Sequence, residues 1–219
     1  MEAARIRVLL VDDHQMLLDA LRLCIPTHPA LEVVGVATNS DDLLSAVKAT
    51  SPDVVVLDVN LPGRGAFDAV ADLRSEFPQV KVLFLSGFLT DVFIAQALRL
   101  RANGYLLKGM SVQALTDAIA RVARGEMVCS PEVQERLVFD PKTGRYTVPN
   151  AGKLATLTAR QLEVVRHLVG GDTIKDIAEK MHISSKSVDS HRHRIMNKLR
   201  LHDRVELTRL AIREGLILP

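Results

Sequence analysis

The sequence predicts two units of different class: a five-stranded parallel α/β unit over residues 1–124, and an all-α unit of four helices over residues 154–219. Three observations carry this prediction. Short β-branched runs alternate with amphipathic stretches five times in the first half, chain breakers gather after residue 124, and the last third shows helical periodicity alone. A chain of 219 residues exceeds the usual domain of ~100–150 residues, which agrees with two units. With 47% apolar and 25% charged residues and no low-complexity tract, the chain can bury a core, and disorder is excluded as its main state.

The strands are expected at Ile6–Val11, Glu32–Val36, Val54–Leu57, Lys81–Leu85 and Tyr105–Leu107. Near-continuous apolar runs of this length suit a sheet covered on both faces. The segments between them, such as Asp41–Ala49 and Asp91–Arg101, set Leu, Val, Ile and Ala at helical spacing with charges opposite. None of the apolar runs approaches the ~20 residues that span a bilayer, and residues 1–8 show no leader-type cleavage pattern, so a cytoplasmic protein with no membrane partner is expected. Cys24 and Cys129 lie far apart without metal-ligand spacing and read as core or incidental thiols.

In an open parallel sheet, chemistry gathers at the carboxyl ends of the strands. Here the first strand ends in Asp12 and Asp13, the third in Asp58, the fourth in Ser86 and the fifth in Lys108. Taken singly, each has a plain structural reading. A carboxylate caps a helix, a serine or aspartate starts a turn, and a lysine is solvated. Their coincidence on one rim favours a site. Three carboxylates held together repel unless a cation intervenes, and an all-oxygen set suits a hard ion, Mg²⁺ being the natural choice. The metal and Lys108 would then offset the charge of an incoming phosphoryl group.

The stretches VLLVDDH, VVVLDVNLPG, VLFLSG and GYLLKG resemble, in order and spacing, the receiver domain of two-component response regulators. The resemblance implies a flavodoxin-like sheet and Asp58 as the phosphoacceptor. It implies Asp13 and Asp58 as direct Mg²⁺ ligands, Asp12 assisting through water, and the Asn60 carbonyl completing the set. Lys108 would hold phosphoryl oxygens, Ser86 would swing toward the phosphate, and Tyr105 would follow it inward. His14 merely follows the acidic pair and is left out of the ligand set. The chain departs from the family pattern at Gly109, where many receivers have proline, and at Gly63–Ala66, where the familiar glycine is Ala66. Both leave local loop geometry open.

Gly125, Pro131, Pro141, Gly144, Pro149 and Gly152 mark residues 125–153 as a linker. Ser130-Pro131-Glu132 fits the start of a short helix, and Leu137–Val148 fits a small hairpin. Whether the segment is docked or mobile is open.

Beyond it, Thr158 with Gln161 fits a capping box opening a helix that Gly170-Gly171 stops, and Thr173 caps a second. After a turn at His182-Ile183-Ser184, a third helix is expected from Ser185 to Leu199 and a fourth from Arg204 to Arg213. Lys and Arg number 12 against 14 Asp and Glu over residues 1–124, but 13 against 8 over residues 151–219. Positive charge on a third helix rich in short polar residues suits the major groove of DNA; a small bundle with a solvated basic face has the same composition.

The strings LTARQLEVV and IKDIAEKMHISSKSVDSHRHRIMNKL are similar to the LuxR-type helix-turn-helix domain that ends the nitrate-regulator class of response regulators. This resemblance implies Asp189, Ser190 and His193 facing base edges, with Lys186, Ser187, Arg192, Arg194 and Lys198 near phosphates. Asp189 stands where many relatives have lysine; an aspartate repels phosphate but can accept from cytosine N4. The combined resemblance implies a transcription regulator, phosphorylated by a sensor histidine kinase, that binds duplex DNA as a homodimer. Two rivals remain at this point: a Mg²⁺-dependent phosphate hydrolase, and a DNA-binding protein whose receiver is only a dimerisation platform.

Overall fold

The protein is described over residues 4–217 by a computed structural model; residues 1–3, part of the stretch read for a leader, and 218–219 lie outside the described residues. The described chain divides into two compact units, residues up to Leu89 with Ala97–Glu135, and Thr90–Gln96 with the residues from Arg136 onward.

In the first unit the strands are β1 (Ile6–Val11), β2 (Leu31–Ala37), β3 (Val54–Asp58), β4 (Lys81–Ser86), β5 (Gly104–Leu107) and β6 (Val128–Cys129). All are parallel, in the order β2-β1-β3-β4-β5-β6. The five expected strands are present, and β6 adds a sixth from the segment read as linker. β3 is buried along its whole length because both faces of the sheet are covered, which is why its sequence runs Val-Val-Val-Leu without polar alternation. On one face Leu18 and Leu21 of α1 (Gln15–Cys24) meet Val8 and Leu10, with Leu115, Ile119 and Val122 from a later helix in the same cluster. Phe84 of β4 packs 5.1 Å, centroid to centroid, from Phe67.

The remaining helices of the α/β alternation are α2 (Leu43–Thr50), α3 (Ala66–Glu76), α4 (Asp91–Arg99) and α5 (Val112–Ala123). Ser111 caps α5 by accepting from Ala114 N at 3.2 Å. After α5 the chain re-enters the sheet. Val128 N donates to Asn103 O, Ser130 N donates to Tyr105 O, and the Ser130 hydroxyl accepts from Leu107 N at 2.9 Å. The short helix expected after Ser130 is α6 (Pro131–Gln134), anchored by fully buried Val133. Residues 125–135 are thus part of the first unit.

The expected hairpin is also present: β7 (Val138–Asp140) pairs antiparallel with β8 (Arg145–Thr147). Asp140 closes its turn by accepting from Lys142 N and the Thr143 hydroxyl, both at 2.9 Å.

The second unit is built on α7 (Ala159–Val169), α8 (Ile174–Lys180), α9 (Ser185–Leu199) and α10 (Arg204–Arg213). Full capping boxes open α7 (Thr158 with Gln161) and α8 (Thr173 with Asp176), each satisfying two otherwise orphaned main-chain donors. Leu162, Val165, Leu168, Ile177, Val188, Ile195, Leu199, Leu207 and Leu210 form the core. Glu214 ties the end of the unit to its beginning, accepting from Lys153 N and Leu154 N at 2.9 and 2.8 Å. In the same unit Gln96 Nε2 donates to Leu157 O at 2.8 Å. Among the described residues no helix is long and apolar enough to cross a membrane.

Candidate functional site

Strand order reverses between β1 and β3, since β2 lies on the other side of β1. The carboxyl ends of β1 and β3 therefore sit side by side, which is where an open α/β sheet leaves a crevice. Asp12 and Asp13 follow β1 and Asp58 closes β3; Asp12 and Asp58 are 4% and 3% exposed. Lys108, just past β5, reaches both: its Nζ lies 2.7 Å from Asp12 Oδ2 and 2.9 Å from Asp58 Oδ2. Burial alone would lower the lysine's pKa, but the bonds to Asp12 and Asp58 outweigh it and hold the ammonium above its ordinary value. One oxygen of Asp58, Oδ1, is buried without a hydrogen-bond partner.

His14 was not expected at the site, yet its Nδ1 lies 3.0 Å from Asp12 Oδ1 and 2.9 Å from Asp13 Oδ1. Ligand atoms of Asp12, Asp13, His14 and Asp58 all fall within 4.8 Å of one another, a spacing that can hold a metal ion. The unsatisfied Asp58 Oδ1 among carboxylate oxygens fits an oxygen-seeking cation. Asn60, two residues past β3, is half-buried.

Two loop features left open by the sequence are resolved. Gly109 has φ +108°, a region that suits glycine, and among the described residues there is no cis peptide bond. Gly63 and Gly65 also have positive φ, and a side chain at Gly63 would meet the Asp41 carboxylate at 2.5 Å. Fully buried Ser40 organises the same loop, donating to Pro62 O at 2.9 Å and accepting from Gly65 N at 3.1 Å. Sequence reasoning passed over Ser40; the only signal was its place in the Asn-Ser-Asp-Asp turn before α2.

Ser86 and Tyr105 share a partner. Ser86 Oγ accepts from Phe88 N at 3.1 Å, and the Tyr105 hydroxyl donates to Phe88 O at 3.0 Å. The ring of Tyr105 is 2% exposed, and burial first, then the nearby Asp58 charge, raise its pKa against the lowering effect of Ser86. The inward place that the resemblance assigns to this ring is therefore already filled.

In the second unit, α9 buries Val188, Ile195 and Leu199 and exposes Lys186, Asp189, Ser190, Arg192, His193, Arg194 and Lys198, with Ser187 half-buried. These side chains are not equally free. Ser187 N bonds the capping hydroxyl of Ser184, Lys198 Nζ donates to Thr156 O at 2.6 Å, and Asp189 Oδ1 lies 2.7 Å from Arg192 Nη2. Between the exposed residues, half-buried His191 has its Nδ1 enclosed without a partner. Burial, then Arg160 and Arg194, lower its pKa.

The chain matches the response regulator receiver domain family over residues 8–120 and the luxR family of bacterial regulatory proteins over residues 155–211. It is 31% identical to the uncharacterised transcriptional regulatory protein YxjL of Bacillus subtilis, covering 99% of this chain and 100% of that one. It is 32% identical to the response regulator GacA of Pseudomonas protegens, covering 97% and 98%. A structure of the RcsB response regulator of Salmonella typhimurium shares the fold with a TM-score of 0.69 at 21% identity, covering 95% and 98% of the two chains. With a receiver match across more than half its length and relatives of similar sequence from end to end, the chain belongs to the two-component response regulators, as a receiver joined to a luxR-family domain.

Proposed function

We infer that this chain is a phosphorylation-controlled, DNA-binding regulator of transcription in a two-component system. The observation that carries the reading is Asp58: a buried carboxylate with one oxygen tied to Lys108 and the other unpartnered, among further acids at the sheet's switch point. In this reading residues 1–124, with β6 and α6 completing the same unit through Glu135, act as the receiver, the rest of the 125–153 segment as the linker and 154–219 as the DNA-binding domain.

The Asp58 carboxylate is the nucleophile. It attacks phosphorus on the phosphohistidine of a sensor kinase; a P–O bond forms as the P–N bond breaks, and the imidazole leaves to take up a proton. Asp12, Asp13, Asp58 and the Asn60 carbonyl are the residues that would hold Mg²⁺, which when bound neutralises oxygens of the transferring group. Lys108 supplies a fixed positive charge beside the nucleophile, so two anions can approach. Ser86 gives up Phe88 and turns its hydroxyl toward the new phosphoryl oxygens, which frees the Phe88 loop that also holds Tyr105. Since the Tyr105 ring is already buried, Ser86 and the Phe88 loop carry the movement. The chemistry acts on the chain's own aspartate and needs no pocket for an organic substrate.

The output is duplex DNA bound by α9, with Asp189, Ser190 and His193 toward base edges and Lys186, Ser187, Arg192, Arg194 and Lys198 toward phosphates. A homodimer reads two half-sites, and the protein works in the cytoplasm, where its kinase delivers the phosphoryl group. The test is incubation with acetyl phosphate and Mg²⁺, followed by intact mass and DNA-binding measurement. A phosphoryl mass increase that is lost in Asp58→Ala, with changed DNA affinity, supports the reading. Tight DNA binding with no phosphorylation would point instead to the receiver as a dimerisation platform.

A further inference from the structure

At the end of the sheet opposite Asp58, a cavity of about 500 Å³ has Arg74, Lys81, Arg99, Arg101 and Asn103 as its polar lining, beside Ala71, Pro78 and Leu100, and no carboxylate. Lys81 opens β4 and Asn103 directly precedes β5, whereas Ser86 closes β4, so a strand's length, roughly 17–20 Å, separates this cavity from the acidic rim.

The hydrogen bonding of its floor is one-sided. Arg74 spends its guanidinium on acceptors: Nε on Leu100 O at 3.2 Å, Nη1 on Val80 O at 2.6 Å, and Nη2 on Arg101 O at 2.8 Å and Asn103 Oδ1 at 2.9 Å. Asn103 Oδ1 also accepts from Val82 N at 3.1 Å. Three main-chain carbonyls and the amide oxygen are thereby occupied, and what remains to face a ligand is donors: the Asn103 amide NH₂, the Lys81 ammonium and the Arg101 guanidinium. Neither Lys81 nor Arg101 has a side-chain hydrogen bond or ion pair among the described residues, and Arg74 has no carboxylate partner. This cationic hollow sits in a segment whose overall balance is acidic, with 12 Lys and Arg against 14 Asp and Glu over residues 1–124.

We propose that this cavity is a binding site for an oligophosphate anion, two or more linked phosphates, held by Lys81, Arg101 and the Asn103 amide over the Arg74 floor. The polar side-chain groups left to face a ligand are donors and cations, with no carboxylate to repel an anion. The volume falls within the range of small-ligand pockets and exceeds what one phosphate fills. Cations placed on different elements, at the start of β4 and on the loop after α4, match charge spread along a chain of phosphates better than a single point charge.

The probe is inorganic tripolyphosphate, titrated calorimetrically into the full chain in EDTA, so that no metal draws phosphate to Asp58. Saturable binding is expected, weakened at least about tenfold in Lys81→Gln/Arg101→Gln, since each loses a charge-assisted bond. Both are surface side chains outside the core, so the fold is kept. Binding is expected to be unchanged in Lys142→Gln/Arg145→Gln on the exposed β7–β8 hairpin. Absence of saturable binding, equal binding of orthophosphate, equal loss in the hairpin variant, or displacement by short duplex DNA would each overturn the proposal. None of these outcomes bears on phosphorylation at Asp58, which has its own test.

Discussion

The ammonium of Lys108 bridges Asp12 and Asp58, 2.7 Å from one carboxylate and 2.9 Å from the other. One lysine thus spans two buried anions, while His14 Nδ1 lies 3.0 Å from Asp12 and 2.9 Å from Asp13. In metal-free protein this imbalance predicts opposite signs for two substitutions. Lys108→Ala leaves both carboxylates buried and facing each other, and should cost about 3 kcal/mol. Asp58→Asn removes one of the competing anions and should leave stability unchanged or raise it by about 1 kcal/mol, while abolishing phosphorylation. Urea midpoints in EDTA check both; an Asp58→Asn protein as weakened as Lys108→Ala would contradict this account. Added Mg²⁺ should narrow the Lys108→Ala deficit, because a second cation then shares its work.

Gly104→Ala should loosen the edge of the sheet. A Cβ there would sit 2.3 Å from Val128 O and 2.5 Å from Leu83 Cδ1, and a backbone oxygen cannot step aside as a flexible side chain can. The expected loss is about 2–3 kcal/mol. Amide exchange locates it: protection at Val128 and Ser130, whose N–H groups bond Asn103 O and Tyr105 O, should fall before that of β1 or β3.

Asp189→Ala should act in two directions at once. Arg192 loses the carboxylate 2.7 Å away and becomes available to a phosphate. Affinity for nonspecific duplex should rise, and the slope of log affinity against log salt should steepen by about one contact. Binding-site selection with the variant should relax at one base pair; an unchanged preferred sequence would remove Asp189 from base recognition.

His191 gives the second unit an acid-sensitive element. Its folded pKa lies below the ordinary 6.5, so as pH falls the unfolded chain takes up the proton first. The folded state keeps its full stability above the ordinary value, loses some as pH drops through it, and loses no more once below the lowered value. Urea midpoints measured from about pH 7.5 to about pH 5 should fall less steeply in His191→Asn than in the parent. Arg160 and Arg194 oppose the added charge.

Much of this architecture was legible because its determinants are local. The apolar strand of Val54–Leu57, the capping box at Thr158 and Gln161, and the buried stripe of α9 are each written within a dozen residues. The acidic rim was legible for another reason: four strand ends carried the chemistry, and parallel topology brings strand ends together. What escaped was set by distant partners. Ser40 orders the loop after Asp58 from the other side of the switch point. His14 turns back on Asp12 and Asp13 through a rotamer that spacing does not encode. β6 is two residues long, too short for any periodicity, and exists because Gly104 lets Val128 approach.

That short strand has a consequence for how the molecule can be handled. Without β6, β5 would be the last strand, offering unpaired main-chain groups beside Tyr105, and a bare edge of this kind invites pairing with other chains. A receiver fragment cut where the α/β rhythm stops, after residue 124, should aggregate on expression. One that continues through Glu135 carries its own edge guard and the Val133 anchor, and should stay monodisperse.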